Sequence, residues 1–163
     1  MIRVAQIEEE EEEEEMAPIV SNIEIGRAPE EVFSYVVDPS RLAEWQESVV
    51  SAHVVGGGPP TVGSRAVTTR RIGRGERTMT MEMTDVSAPR SWAVRGIDGP
   101  VRGIVKGTVE PLADGTQSRV RIELDFEGHG LGKLLVPLVV RRQAQKEMPR
   151  NLRTLKQRLE SGA

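Results

Sequence analysis

Cysteine is absent from the 163 residues, and only two histidines, His53 and His129, are present. The first absence excludes disulfides, thiolate nucleophiles and cysteine-ligated zinc or iron–sulfur sites. The second leaves one imidazole too few for a three-histidine metal site. No apolar run approaches the roughly 18 residues that span a bilayer, and the N-terminus has neither a basic stretch nor an apolar one of the signal-peptide kind. The expected compartment is therefore the cytoplasm, and the length is that of one domain able to bury a core. No motif asks for a metal or a cofactor, and no carboxylate pair or histidine–carboxylate dyad stands at a spacing that suggests acid–base work. Aromatic side chains are scarce too: two Trp, two Phe and one Tyr.

Charge is present but unevenly placed. Residues 8–15 are eight consecutive glutamates, which with Arg3 give residues 1–16 a charge of −7. The remaining 17 acidic and 21 basic side chains leave a surplus of four positive charges elsewhere. A glutamate run repels itself and buries nothing, so residues 1–17 are expected to form a disordered acidic tail ahead of one domain over 18–163. Between Lys133 and Glu160, eight basic side chains stand against two acidic ones. A tail of one sign and a helix of the other invite docking of the first on the second, which would gate anything enclosed between them.

The periodicity changes three times along the chain. In "IVSNIEI", Ile19, Ser21, Ile23 and Ile25 share one face, as in a half-buried strand. "APEEVFSYVVDPSRLAEWQ", residues 28–46, holds three of the five aromatics, Phe33, Tyr35 and Trp45. Pro29 suits a first helical turn, and Glu30 and Glu31 complement the helix dipole there. Asp38, before Pro39, ends that helix and caps a second short one with Leu42 and Trp45 on its inner face. From Ser48 the period is two through six stretches separated by glycine and proline turns, which predicts antiparallel meander pairing, with a two-residue hairpin at Asp114-Gly115. From Leu131 the period becomes helical, with Leu134, Leu138, Met148, Leu152, Leu155 and Leu159 in one stripe, interrupted at Pro137 and Pro149.

This order, one strand, two short helices, six strands and a long C-terminal helix, together with Ala28-Pro29-Glu30, Val32-Phe33, Asp38-Pro39 and Trp45, resembles the START-like or Bet v 1-like superfamily, also called SRPBCC, and within it the polyketide cyclase/dehydrase and lipid-transport branch. The resemblance covers about residues 19–159. It implies an α+β helix-grip fold, a curved seven-stranded antiparallel sheet around the C-terminal helix with a cavity between them. The short helices would plug one end, with Phe33, Leu42 and Trp45 as plug and wall and Tyr35 on the outside.

Within that frame, Met79, Met81 and Met83 share one strand face, either as a pliable ligand wall or as ordinary core. Trp92, Val94, Val105, Leu124 and Val67 are expected on the same inner wall, with Leu138 facing them from the helix. Arg65 and Arg71 share a strand face with Val67 and Thr69, and Thr69 is the polar candidate for contact with a ligand. His53 is a weak catalytic candidate that alternation allows to point either way. Arg95 is expected to face outward. "GHGLGKL" fails as a phosphate loop, because Gly128 and Gly132 are three residues apart and Leu134 follows Lys133, so His129 reads as a loop residue. The leading expectation is binding, with possible transport, of a small hydrophobic ligand such as a lipid, polyketide or aromatic metabolite. A cyclase or dehydratase acting on a poly-carbonyl chain is the alternative, and a membrane-surface or partner-protein module the third, since a basic amphipathic helix can lie on anionic lipid. Nucleic acid is not an expected partner, for lack of stacking aromatics or a reading motif. The edge strands and the apolar residues 134–140 leave the oligomeric state open.

Overall fold

The computed structural model describes residues 17–99, 101–128 and 139–162. The glutamate run, His129, Leu134, Pro137 and Leu138 lie outside them.

Seven strands form one antiparallel sheet: β1 (Ile19–Ile25), β2 (Val49–Val55), β3 (Arg65–Ile72), β4 (Gly75–Ser87), β5 (Ser91–Gly96), β6 (Val101–Leu112) and β7 (Gln117–Gly128). Their order across the sheet is β1-β7-β6-β5-β4-β3-β2, so only the β1–β7 pairing departs from a simple meander. Between β1 and β2 lie α1 (Pro29–Val36), a 3₁₀ turn (Pro39–Arg41) and the single-turn α2 (Leu42–Trp45). The chain ends in α3 (Arg141–Glu160). This is the helix-grip architecture expected above.

Local chemistry explains the breaks. Asp38 caps the 3₁₀ turn, its Oδ1 accepting from Ser40 N at 3.0 Å. The β3–β4 hairpin turns through two residues, Gly73 and Arg74, with Ile72 paired to Gly75 and Gly73 at φ 61°. The β6–β7 connection is longer than expected: Leu112 pairs with Gln117 across residues 113–116, which include a 3₁₀ turn at Ala113–Gly115. The Ala88–Pro89 peptide between β4 and β5 is cis.

The solid core lies at one end of the sheet. Val32 of α1, Ile25, Val109, Val120 and Leu155 are each at most 1 % exposed, and Leu152 and Leu159 of α3 close over them. On the outer face, β7 is wet as its alternation requires: Arg119 reaches both Glu24 (2.8 Å) and Glu110 (3.4 Å), its in-register neighbours on β1 and β6. The C-terminal end of α3 is tied to the β1–α1 turn, where Arg27 Nε donates to Leu159 O at 2.9 Å and Gly26 N donates to Glu160 Oε1 at 2.9 Å. Its N-terminal end is tied to the start of the described chain by buried Arg141, which donates to Ala17 O and lies 3.7 Å from Asp125.

Two expectations change here. Tyr35 is buried, not outside: it is 6 % exposed, and its Oη donates to Glu44 Oε2 at 2.6 Å, which joins α1 to α2. Burial, with the adjoining Glu44 carboxylate, holds the phenol above its ordinary pKa. Pro149 does not break the last helix, which runs on through it. Pro149 and Gln145, four residues earlier, are both exposed, so the carbonyl that loses its partner can bond to water. Proline still fits a helix interior poorly, and Pro149→Ala is expected to stabilise the fold by about 1–2 kcal/mol, read as a higher urea midpoint at unchanged slope.

Candidate functional site

Toward β3–β5 the helix and sheet part company. Ala144, Met148 and Leu152 of α3 look across at the sheet, and a cavity of about 250 Å³ lies between. The sheet contributes Met79, Met81 and Met83 from β4, then Trp92 and Val94 from β5. Val105, Leu124 and Phe126 continue this wall on β6 and β7, and Leu42 and Trp45 close the end beside α2. Val140 and Ala144 frame the side where α3 begins.

Trp92 is held from two sides. Its ring meets Phe33 edge to face, with centroids 6.0 Å apart and planes at 79°. Behind it, Gly107 of β6 is its in-register partner, and a Cβ there would stand 2.1 Å from Trp92 Cζ2. The indole therefore lies flat on bare backbone. Phe33 itself is buried behind Trp92 and does not line the cavity.

Three further predicted positions also lie away from the cavity. Val67 and Thr69 are on the outer face of β3, and His53, exposed on β2, pairs with Val67 on that same face. The reason is register: Met79 and Met81 pair with Thr68 and Ala66, so it is Ala66, Thr68 and Arg70 that face inward. Arg65, at the start of β3, reaches the rim of the cavity while bonding Glu82 at 2.9 Å, and Arg95, bonded to Glu127 at 3.1 Å, does not line it.

The polar side of the cavity escaped the sequence reading. Arg70 is opposite Val49, beside a bulge at Val50 that shifts the β2–β3 register by one residue. Ser48, just before it, is 7 % exposed and accepts from Arg70 Nη1 at 3.4 Å. Burial pushes the Arg70 guanidinium below its ordinary pKa, with the Glu147 carboxylate opposing the shift. Gln143, Glu147 and Asn151 follow one another at four-residue spacing on the cavity face of α3. Gln143 Nε2 donates to Glu147 Oε1 at 2.9 Å and to Arg71 O at 2.7 Å, while its Oε1 accepts from Gly73 N at 2.9 Å. Asn151 Oδ1 accepts from Glu47 N at 3.0 Å.

A curved sheet gripping a C-terminal helix around a largely apolar cavity with one polar flank defines a START-like, Bet v 1-like protein. The chain belongs to the family described as polyketide cyclase / dehydrase and lipid transport, whose model matches residues 16–160. A search of curated protein sequences finds no match. Among solved structures, it is similar to the Zhui aromatase/cyclase from Streptomyces sp. R1128, at 12 % identity and TM-score 0.71 over 88 % of this chain and 93 % of that one. A START superfamily protein from Mycobacterium smegmatis has 14 % identity and TM-score 0.71 over 90 % and 99 % of the two chains. A protein from Thermus thermophilus has 19 % identity and TM-score 0.71 over the same shares. At these identities the likeness concerns the fold. No helix among the described residues is long and apolar enough to cross a membrane.

Proposed function

We propose that this protein encloses a small, largely apolar molecule, a lipid, polyketide or aromatic metabolite, between its sheet and α3. The observation that carries this reading is the contrast between the two ends of one sheet. Around Val109, Val120 and Leu155 packing is complete, whereas beside Met79, Met81 and Trp92 a cavity of about 250 Å³ stays open. Cavities lined by apolar atoms are poor sites for water and good ones for apolar ligands. Methionine walls adapt to varied shapes. The test is mass spectrometry of the natively purified protein followed by organic extraction: a stoichiometric small molecule supports the reading and names the chemical class, while a protein that neither retains nor takes up apolar compounds refutes it.

A second reading, a cyclase or dehydratase acting on a poly-carbonyl chain, is favoured by the charged side chains Arg70 and Glu147 on that cavity, since a carboxylate can move protons and a guanidinium can stabilise the oxyanion that forms. On either reading His53 plays no part. His53→Ala is expected to leave ligand retention, and any turnover of aromatic polyketide-like substrates, within about twofold of the unaltered protein, as befits an exposed outer-face substitution.

A further inference from the structure

We propose that the molecule held in this cavity is an amphipath with a carboxylate, and that Arg70 is the residue that receives it. The inference rests on the reading of the cavity as a ligand site and adds the chemistry of one end of the ligand.

Arg70 faces inward beside Thr68 and Ala66, where burial works against its charge. A guanidinium offers five N–H donors. Among the described residues, the bond of Arg70 to another side chain is the long one to Ser48 Oγ at 3.4 Å, and no carboxylate comes within ion-pair distance of it. A cation partly withdrawn from water without a close counter-ion is a costly arrangement, and an incoming anion relieves it. The Glu147 carboxylate acts on Arg70 through space, and one of its oxygens is engaged by Gln143.

The neighbouring polar groups also have donors to spare. Asn151 commits its Oδ1 to Glu47 N, which leaves its amide NH₂ for the cavity. Trp45 lines the same cavity, and its Nε1 is buried without an acceptor among the described residues. Arg77, across from Arg70 on β4 and exposed, adds a second positive charge at that edge of the sheet, although one of its nitrogens donates to Glu76 O at 3.0 Å. A site with idle donors calls for an acceptor group. A carboxylate fits better than a phosphate: it matches the guanidinium fork with two oxygens and one charge, whereas a doubly charged group would set more negative charge against Glu147 on the same flank. The other side of the cavity, from Met81 to Leu124, would take the apolar body.

The test compares decanoate with 1-decanol at pH 7 by titration calorimetry on the full chain stripped of any retained molecule. Decanoate is expected to bind at least about tenfold more tightly than decanol. In Arg70→Gln the two should bind within about threefold of each other, with decanol affinity little changed. Arg70→Lys, which keeps the charge without the fork, should retain part of the preference and covers the case in which the glutamine variant does not fold. Equal binding of acid and alcohol by the unaltered protein, or the full preference surviving in either variant, overturns the assignment of Arg70. If neither compound binds, it is the cavity reading that fails, and the inference goes with it.

Discussion

Trp92→Ala is expected to lower the unfolding free energy by about 3–5 kcal/mol, the usual range for truncating a buried aromatic, and Gly107→Ala by about 1–3 kcal/mol. In the Trp92→Ala background, however, Gly107→Ala should be neutral or slightly stabilising. The geometry dictates this coupling. A methyl group on Gly107 would stand 2.1 Å from Trp92 Cζ2 and 2.2 Å from Cη2, so the indole must leave its place. Phe33, already in edge-to-face contact with centroids 6.0 Å away, blocks displacement to that side, so the indole moves into the cavity. Once the indole is gone the added methyl's three nearest contacts go with it, and replacing glycine in a strand by alanine removes backbone entropy from the unfolded chain. A urea-unfolding double-mutant cycle should therefore give a coupling of at least about 1 kcal/mol. Equal costs of Gly107→Ala in both backgrounds would show that Trp92 does not rest on that backbone.

The same cavity shows which levels of structure the sequence discloses. Local signals were enough for the frame. Asp38-Pro39 ends one helix and begins a turn, the leucine stripe from Leu152 to Leu159 marks the packed half of α3, and Val120, Ile122, Leu124 and Phe126 fix the inner face of β7. They were not enough for β3. In "RAVTTRRI" both alternating sets mix apolar and polar residues, so period two tells which residues share a face without telling which face is inside. The deciding signal is one step less local. A two-residue hairpin through Gly73 and Arg74 pairs Ile72 with Gly75 and hence Thr68 with Met79, which puts Arg70 on the methionine face and sends Val67, Thr69 and His53 outward. The bulge at Val50 has no such marker, because a one-residue slip leaves the composition of β2 unchanged. The burial of Tyr35 is hidden from the sequence for another reason. Its ring joins Val32 and Val36 in burial, and its hydroxyl is satisfied by Glu44, a partner on a different helix that helical periodicity alone does not reveal.

Met81→Glu should reduce affinity for an apolar ligand by about a hundredfold at pH 7, the equivalent of about 2.7 kcal/mol. Met81 faces the cavity between Ala66 of β3 and Gly96 of β5, with Met79 and Met83 beside it on the same strand face. A carboxylate there must either keep water with it, which fills the volume a ligand would occupy, or be desolvated when the ligand enters. Arg70 does not rescue it, being four residues along β3 from Ala66, roughly 13 Å at the rise of a strand. Desolvation raises the pKa of such a carboxyl in the folded state above the value near 4.3 of an exposed glutamate. The sign of the pH effect follows. Between those two values the folded protein binds more protons than the unfolded one, so stability falls as pH rises through that window and levels off above it. Relative to the unaltered protein, Met81→Glu should therefore be least stable at neutral pH, by about 1–3 kcal/mol, and should recover both stability and ligand affinity as the pH is lowered toward 4. Met81→Gln, equal in size and without charge, should lose less affinity and show no recovery with acid. Parallel losses in the two variants at every pH would mean that position 81 matters for its shape alone, and that the wall does not exclude charge in the way an apolar ligand site requires.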